Sequence, residues 1–107
     1  MDVFPKFIIE TDSELGDCLI IAKCTYHKQL ATNTNMVKGG GWWRLNKETN
    51  TFTLFGDSTD FGKSTINDIL KCIQSGNVYT DNLLIDSISN DYNFKYDIGS
   101  EIIDLPK

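Results

Sequence analysis

Residues 51–66 constrain the fold more than any other part of this chain. The segment begins with alternating polar and apolar side chains, which predict a β-strand, and it ends where an apolar pattern with helical spacing begins. Gly56 and Gly62 bracket the loop between strand and helix. Such a corner can direct several backbone N–H groups, together with the hydroxyls of Ser58 and Thr59, toward one bound anion, most naturally a phosphate. The same residues also suit an ordinary connection with its own caps, so the loop alone leaves both interpretations open.

The charge balance narrows the range of partners. Ten basic residues against fifteen acidic ones give the 107-residue chain a net charge of −5, which argues against nucleic acid or an anionic membrane as its main partner. The longest apolar run, residues 18–22, is far shorter than a membrane span, and the first residues carry neither the basic nor the apolar part of a signal peptide. We therefore expect a cytoplasmic protein, and the sequence leaves its oligomeric state open.

The cysteine and histidine content bears on disulfides and metals. Cys18, Cys24 and Cys72 are odd in number, and no two of them have a Cys-x-x-Cys spacing. Together with a single histidine, this pattern predicts reduced thiols, with neither a disulfide framework nor a metal site. We expect no cofactor.

Apolar patterning predicts the strands of the first half. Residues 6–11 indicate a first strand whose apolar centre suits an interior position in a sheet, and residues 18–26 indicate a longer second strand. A short helical turn is a further possibility at residues 27–31. Residues 42–45 and Thr51–Phe55, joined by a short polar loop, predict a hairpin.

Helical spacing returns in the second half. The first helix is predicted between Thr65, a candidate N-cap, and Gly76, which follows the last turn. Asp81 can cap a second helix, although a short strand is the alternative there. Residues 93–98 alternate as a closing strand, and the tail can lie against the body of the protein. The chain is thus predicted to be a single domain, residues 1–107, of the α+β class: a mixed or antiparallel β-sheet with helices packed on its faces.

Glycines mark two further positions. Residues 39–41 are all glycine, which permits either a close approach of another group or a positive φ. Gly62, Lys63 and Ser64 look like the end of a P-loop, but the first glycine of that pattern would fall at Asp57. We therefore predict no P-loop nucleotide site.

One histidine stands out as a candidate catalytic residue. His27 is the only side chain whose ordinary pKa lies near neutrality. It follows Tyr26 at the end of a predicted strand, where a rigid scaffold can present a functional group. Lys6 begins the first strand. By residue type alone, His27 is equally compatible with a structural role and Lys6 with a solvated position.

Taken in chain order, these features resemble the Janus/Ocnus family of small protein phosphohistidine phosphatases. The resemblance rests on a lysine-led strand, a Tyr-His pair, a glycine triplet, and a loop of the pattern aromatic-Gly-x-Ser-x-x-aromatic-Gly, matched here by residues 55–62. It covers residues 6–62 and is weaker beyond them. It implies a phosphatase without metal or cofactor that hydrolyses the P–N bond of phosphohistidine, acting on a phosphorylated protein or a small phosphate compound.

The resemblance also implies roles for individual residues. His27 matches the family's catalytic histidine, which acts as a general base on water or takes the phosphoryl group itself. The residues that match the substrate-binding positions are Lys6, Tyr26, Ser58, Thr59 and Asp60. Loop amides and a lysine would stabilise the phosphoryl oxygens as charge shifts during transfer.

The sequence departs from the family in two segments and at two single positions. Residues 27–39 are too few for the family's long helix, and residues 66–82 look like an insertion that carries its own helix. Trp42 stands where the family commonly has an arginine, and Asp60 places a carboxylate in the phosphate loop. The alternative hypothesis is a non-catalytic module on the same scaffold that binds phosphate or a partner, with Trp42 and Trp43 as an exposed aromatic pair. Because neighbouring strand residues point to opposite faces, one tryptophan in the core and one on the other face is the competing interpretation.

Overall fold

The computed structural model describes residues 4–80 and 92–107, which form one seven-stranded sheet and one α-helix. The elements are β1 (Phe4–Asp12), β2 (Gly16–Cys24), β3 (Val37–Asn46), β4 (Thr51–Phe55), α1 (Ile66–Ser75), β5 (Val78–Thr80), β6 (Asn93–Asp97) and β7 (Ile102–Leu105). Two short 3-10 turns, His27–Leu30 and Thr34–Met36, connect β2 to β3.

The sheet is mixed and has the strand order β5-β2-β1-β3-β4-β6-β7. Strand β1 lies in its interior, as the apolar run in residues 6–11 predicts. The predicted hairpin is confirmed, because β3 and β4 pair antiparallel with Trp42 opposite Phe55. Strand β1 also pairs with β3, and this register sets Lys6 opposite Trp42.

One face of the sheet carries the apolar core. Phe7 and Ile9, alternate residues of β1, point to this face and are fully buried. Helix α1 covers the same face with Ile69, Cys72 and Ile73. The other strand residues of this cluster are Leu19, Ile21, Trp43, Phe52, Leu54, Phe94, Tyr96 and Leu105.

The opposite face buries polar groups beside apolar ones. Lys6, Ile8 and Glu10 alternate with the core residues of β1 and are also buried. The connection between β2 and β3 lies against them. The Glu10 carboxylate accepts hydrogen bonds from the Thr32 amide and hydroxyl, each at 2.7 Å, and from the Asn33 amide at 3.3 Å. These bonds hold the connection to the sheet.

The glycine triplet allows close approach. None of its members has a positive φ. A Cβ on Gly40 would lie 2.5 Å from the carbonyl oxygen of Phe7, and one on Gly41 would lie 2.6 Å from that of Phe55. Side chains at these positions would therefore collide with the neighbouring strands, which decides between the two interpretations of the triplet.

Helix α1 begins and ends where its caps predict. Thr65 Oγ1 accepts a hydrogen bond from the amide of Asp68 at 3.1 Å, and Gly76 adopts a left-handed conformation with φ of 77°. The second helix predicted from Asp81 lies outside the described residues.

The predicted fold class is wrong. Of the described residues, 52% lie in strands and 18% in helices or helical turns, and the sheet curls into a half-barrel. This is not an α+β sheet with helices packed on its faces. The physical reason is that the connection over residues 27–36 forms only short turns held by Glu10, while Ile102–Leu105 pairs with β6 as an additional strand. Within the described part of the chain, α1 is therefore the one α-helix available to cover the sheet.

Candidate anion-binding site

Four side chains meet on the polar face of the sheet, and we name them the Lys6 cluster: Phe4, Lys6, His27 and Trp42. Phe4 and Lys6 come from β1, Trp42 from β3, and His27 from the first 3-10 turn. The phenyl ring of Phe4 meets the Trp42 indole at 6.1 Å between centroids, edge to face. Strand alternation puts Phe4, Lys6 and Trp42 on one face, and the turn after β2 brings His27 over them.

Lys6 is a buried cation that forms no ion pair within residues 4–80 and 92–107. The residue is only 5% exposed. Its Nζ lies 3.9 Å from the centroid of the Trp42 ring and 4.9 Å from the centroid of the Phe4 ring. None of the ion pairs among residues 4–80 and 92–107 includes Lys6. Removing an ammonium from water is costly, and cation–π attraction offsets only part of that cost. The positive charge of Lys6 thus remains available to an anion.

His27 is held in one tautomer by the backbone. Its Nε2 lies 2.7 Å from the carbonyl oxygen of Gly41. A carbonyl oxygen only accepts, so Nε2 carries the proton and Nδ1 has the free lone pair when the ring is neutral. Burial lowers the pKa of His27 below its ordinary value; the nearby charge of Lys6 acts in the same direction, while the Gly41 hydrogen bond and Asp60 oppose the shift. The ring is therefore neutral at neutral pH.

The two functional atoms lie in a nearly enclosed region, because His27 is 3% exposed and Lys6 is 5% exposed. Within the described residues, neither His27 Nδ1 nor Lys6 Nζ has a hydrogen bond, so the lone pair of Nδ1 and the protons of Nζ are not engaged there.

The Ser58 loop closes on itself and on β3. The Ser58 amide donates to the carbonyl oxygens of Gly40 and Gly62, each at 3.1 Å. The Ser58 hydroxyl oxygen accepts from the amides of Asp60 and Phe61, each at 3.2 Å, and the residue is buried. These internal bonds engage the amides that the sequence assigns to a phosphate.

Gly40 is the point at which the loop and His27 come together. The loop bonds to the carbonyl of Gly40, and a Cβ placed on Gly40 would lie 3.2 Å from Cδ2 of His27. Thr59 and Asp60, on the outer part of the loop, are exposed. The structure therefore places His27, Lys6 and the Ser58 loop in one region.

Tyr26 does not belong to the Lys6 cluster. It is 55% exposed, and Lys28 Nζ lies 5.5 Å from its ring centroid. Its amide is hydrogen-bonded at 2.8 Å to the Gln29 side chain, which shapes the turn. The observed contribution of Tyr26 is thus to the start of the 3-10 turn that carries His27.

The sequence names Trp42 only as a departure from the family pattern and as half of an aromatic pair, and it does not predict the contacts that Trp42 makes in this site. Trp42 contacts Lys6, Phe4 and His27, whereas Trp43 is buried in the core and its Nε1 donates to the carbonyl oxygens of Lys6 and Ala22. The two tryptophans thus divide between the faces. The signal was present in the alternation of β3, but the partner of Trp42 depends on the register of β1 against β3.

The described residues also bear on metal binding, membrane insertion and cysteine chemistry. They hold no group of three or more His, Cys, Asp or Glu side chains placed to bind a metal ion. Their one α-helix, α1, falls short of the length and apolar character needed to cross a membrane. The cysteines are buried free thiols, and burial raises the pKa of Cys72 to about 12.

Comparisons with known proteins identified no relative of this chain. The sequence matches no protein-family model, and searches of curated proteins and of solved structures gave no match.

Proposed function

We propose that this protein binds a phosphoryl group at the Lys6 cluster and hydrolyses a P–N bond there, as a phosphohistidine phosphatase does, without a metal ion. The observation that carries the proposal is the pairing of a neutral imidazole, fixed by Gly41, with an ammonium that has no counter-ion within the described residues. The resemblance of residues 6–62 to the Janus/Ocnus family adds support from the sequence. The family's fold does not, because the α+β class predicted with it is wrong.

In the proposed reaction a P–O bond to water forms and the P–N bond of the substrate breaks. Nδ1 of His27 accepts a proton from water as the water oxygen attacks phosphorus. The P–N bond of the substrate breaks, and the leaving imidazole nitrogen takes up a proton, either the one now held on Nδ1 of His27 or one from solvent. The products are the unphosphorylated histidine residue of the substrate and inorganic phosphate. Nδ1 can alternatively accept the phosphoryl group first and pass it to water in a second step.

Charge stabilisation in this proposal falls mainly to Lys6. Its ammonium faces the developing charge on the phosphoryl oxygens from a region with little water, where electrostatic attraction is stronger. Thr59, exposed on the Ser58 loop, can add its hydroxyl. Ser58 shapes the loop, because its oxygen accepts two amide hydrogens, and its O–H is still able to donate. The Asp60 carboxylate opposes a dianion and favours a substrate that approaches from the Lys6 side.

A non-catalytic binding module is the second candidate. It is favoured by the low exposure of His27, 3%, since a nearly enclosed imidazole leaves little space for an attacking water. Such a module would bind phosphate or a phosphorylated partner through Lys6 without turnover.

The test is release of inorganic phosphate from a peptide that carries phosphohistidine, measured with chelator present. We expect hydrolysis by the native protein and its loss in His27→Gln, because glutamine can still donate to the Gly41 carbonyl but has no basic nitrogen. Lys6→Gln should lower kcat as well as kcat/KM, because the ammonium stabilises charge that develops in the transition state. The matched control is Lys23→Gln, an exposed lysine on the neighbouring strand, which should leave both constants unchanged.

Each candidate has its own contrary outcome. Hydrolysis that persists in His27→Gln rules out the catalytic assignment. Phosphate-dependent NMR shifts around Lys6 without hydrolysis support the binding module in its place. Equal behaviour of Lys6→Gln and Lys23→Gln removes the Lys6 cluster from either function.

A further inference from the structure

We infer that Trp42 positions both functional groups of the proposed site, and that anion affinity depends on the aromatic face of its ring and not only on its bulk. The inference rests on the anion-binding part of the proposed function and adds a residue to it. Its support is the set of contacts that place Trp42 beside Lys6, His27 and Gly56.

The face of the indole holds the ammonium of Lys6. The register of β1 and β3 sets Trp42 opposite Lys6, so the two side chains share one face of the sheet. The Nζ atom lies 3.9 Å from the ring centroid, well within the range of cation–π attraction. A carboxylate at this place would neutralise the ammonium. An aromatic face attracts it without supplying a negative ion, so the charge stays available to a ligand.

The same indole also limits the movement of His27. The two rings meet edge to face, with centroids 5.7 Å apart and an interplanar angle of 88°. His27 is thus held between Trp42 on one side and the Gly41 carbonyl that binds its Nε2. One side chain therefore contacts both the proposed base and the proposed cation.

Gly56 leaves room for the indole at the start of the Ser58 loop. A Cβ on Gly56 would lie 2.9 Å from Cδ1 of Trp42, and the φ of Gly56 is 69°. Glycine is thus required there both by its backbone conformation and by the ring beside it. Trp42 therefore fills the space between this loop and the Lys6–His27 pair, which is the location of a positioning residue.

The experiment compares replacements of Trp42 that keep or remove the aromatic face. The protein is titrated with inorganic phosphate at neutral pH, and binding is read from backbone amide shifts around Lys6 and from the ring resonance of the single histidine. We expect Trp42→Phe to bind phosphate within about threefold of the native protein, and Trp42→Leu to bind on the order of tenfold more weakly. Trp42→Met is a second non-aromatic replacement, for use if the leucine variant does not fold. Tyr79→Leu is the control, since Tyr79 is an exposed aromatic on β5, at the edge of the sheet.

The pKa of His27 is a second measurement, and it distinguishes a positioning role of Trp42 from a contribution to packing alone. In the non-aromatic variant the pKa of His27 should move up toward its ordinary value, because the indole edge no longer excludes water from the ring. Lys6 and Asp60, the charged groups that act on His27, are unchanged in these variants. A replacement that only loosened the core would lower the free energy of unfolding. It would not change phosphate affinity in the order native, phenylalanine, leucine, and it would not raise the pKa of His27.

The outcomes distinguish this inference from the proposed catalysis. Equal phosphate affinity in the phenylalanine and leucine variants overturns it, and so does a native protein that binds no phosphate. Failure of the native protein to hydrolyse phosphohistidine, with the expected order of affinities intact, rejects the catalytic proposal and leaves the role of Trp42 standing.

Discussion

The two faces of the central sheet are both buried, but by different means. On the core face Phe7 and Ile9 belong to one apolar cluster, to which helix α1 also contributes. On the opposite face of the same strand, Lys6 and Glu10 are buried beside Ile8 under the connection between β2 and β3. Apolar burial is non-directional and tolerant of small shifts, whereas buried charge needs a specific partner.

The difference indicates which face can be functional. Glu10 has its partners within the protein, three donors from Thr32 and Asn33, so it is a structural charge. Lys6 has only aromatic rings and no ion pair in the described residues. The polar face thus contains one charge satisfied by the fold and one available to an outside anion.

The largest expected effect is on the core face. Phe52→Ala removes a fully buried ring that meets Trp43 at 5.5 Å and stacks on Phe94 at 5.6 Å. We expect the free energy of unfolding to fall by about 3–5 kcal/mol, measured by urea denaturation. The same substitution on the polar face, Phe4→Ala, is the matched control. Phe4 is 43% exposed, so its loss should cost less than about 1 kcal/mol. Similar losses for both would contradict the assignment of the core to one face.

The second prediction concerns Glu10, the buried carboxylate whose hydrogen-bond donors lie within the protein. Glu10→Ala leaves the Thr32 amide and hydroxyl and the Asn33 amide without their acceptor. We expect a loss of about 1–3 kcal/mol in the free energy of unfolding and faster hydrogen exchange at Thr32. Glu48→Ala, an exposed glutamate in the β3–β4 turn, should change neither measurement. Unchanged exchange at Thr32 in Glu10→Ala would mean that other contacts hold the connection.

The smallest effect is a pH dependence of stability through His27. The folded state holds the pKa of this ring below the ordinary value of 6.5 that it has when unfolded. The unfolded chain therefore binds more protons as pH falls, so the contribution is complete above about pH 6.5 and is lost below it, toward the lowered folded pKa. The slope for one proton is at most about 1.4 kcal/mol per pH unit.

Comparison with His27→Gln isolates this contribution. His27 is the only histidine, and the carboxylates Asp12, Asp17 and Asp97, with a pKa lowered from 3.8, titrate well below this window. Urea denaturation of both proteins between pH 8 and pH 5.5 should show a steeper loss in the native protein. Parallel pH profiles would show that the imidazole is not held neutral by burial.

Local patterns predicted a large part of the fold. The interior place of β1 follows from three consecutive apolar residues, the β3–β4 hairpin from its short polar loop, and helix α1 from Thr65 and Gly76. Each depends on contacts within a few residues. The fold class was wrong because it depended on distant pairings, such as Ile102–Leu105 with β6 and the Glu10 carboxylate with Thr32.

The candidate site also combines features that local sequence predicts with contacts that depend on distant pairings. Lys6, His27 and the Ser58 loop are identifiable by residue type and order, and their roles in phosphate chemistry remain predictions. Trp42 was noted only as a departure from a family pattern and as one half of an aromatic pair. Its contact with Lys6 depends on a register between two strands that are far apart in sequence.

The sequence by itself determined which segments form most of the strands and where helix α1 begins and ends, because capping, turn chemistry and side-chain alternation act over a few neighbouring residues. Only the tertiary structure decided which charge is satisfied and which is available. That outcome depends on which groups the folded sheet brings within contact distance: hydrogen-bond donors for Glu10 and, in the part of the chain that the structure describes, aromatic rings but no carboxylate for Lys6.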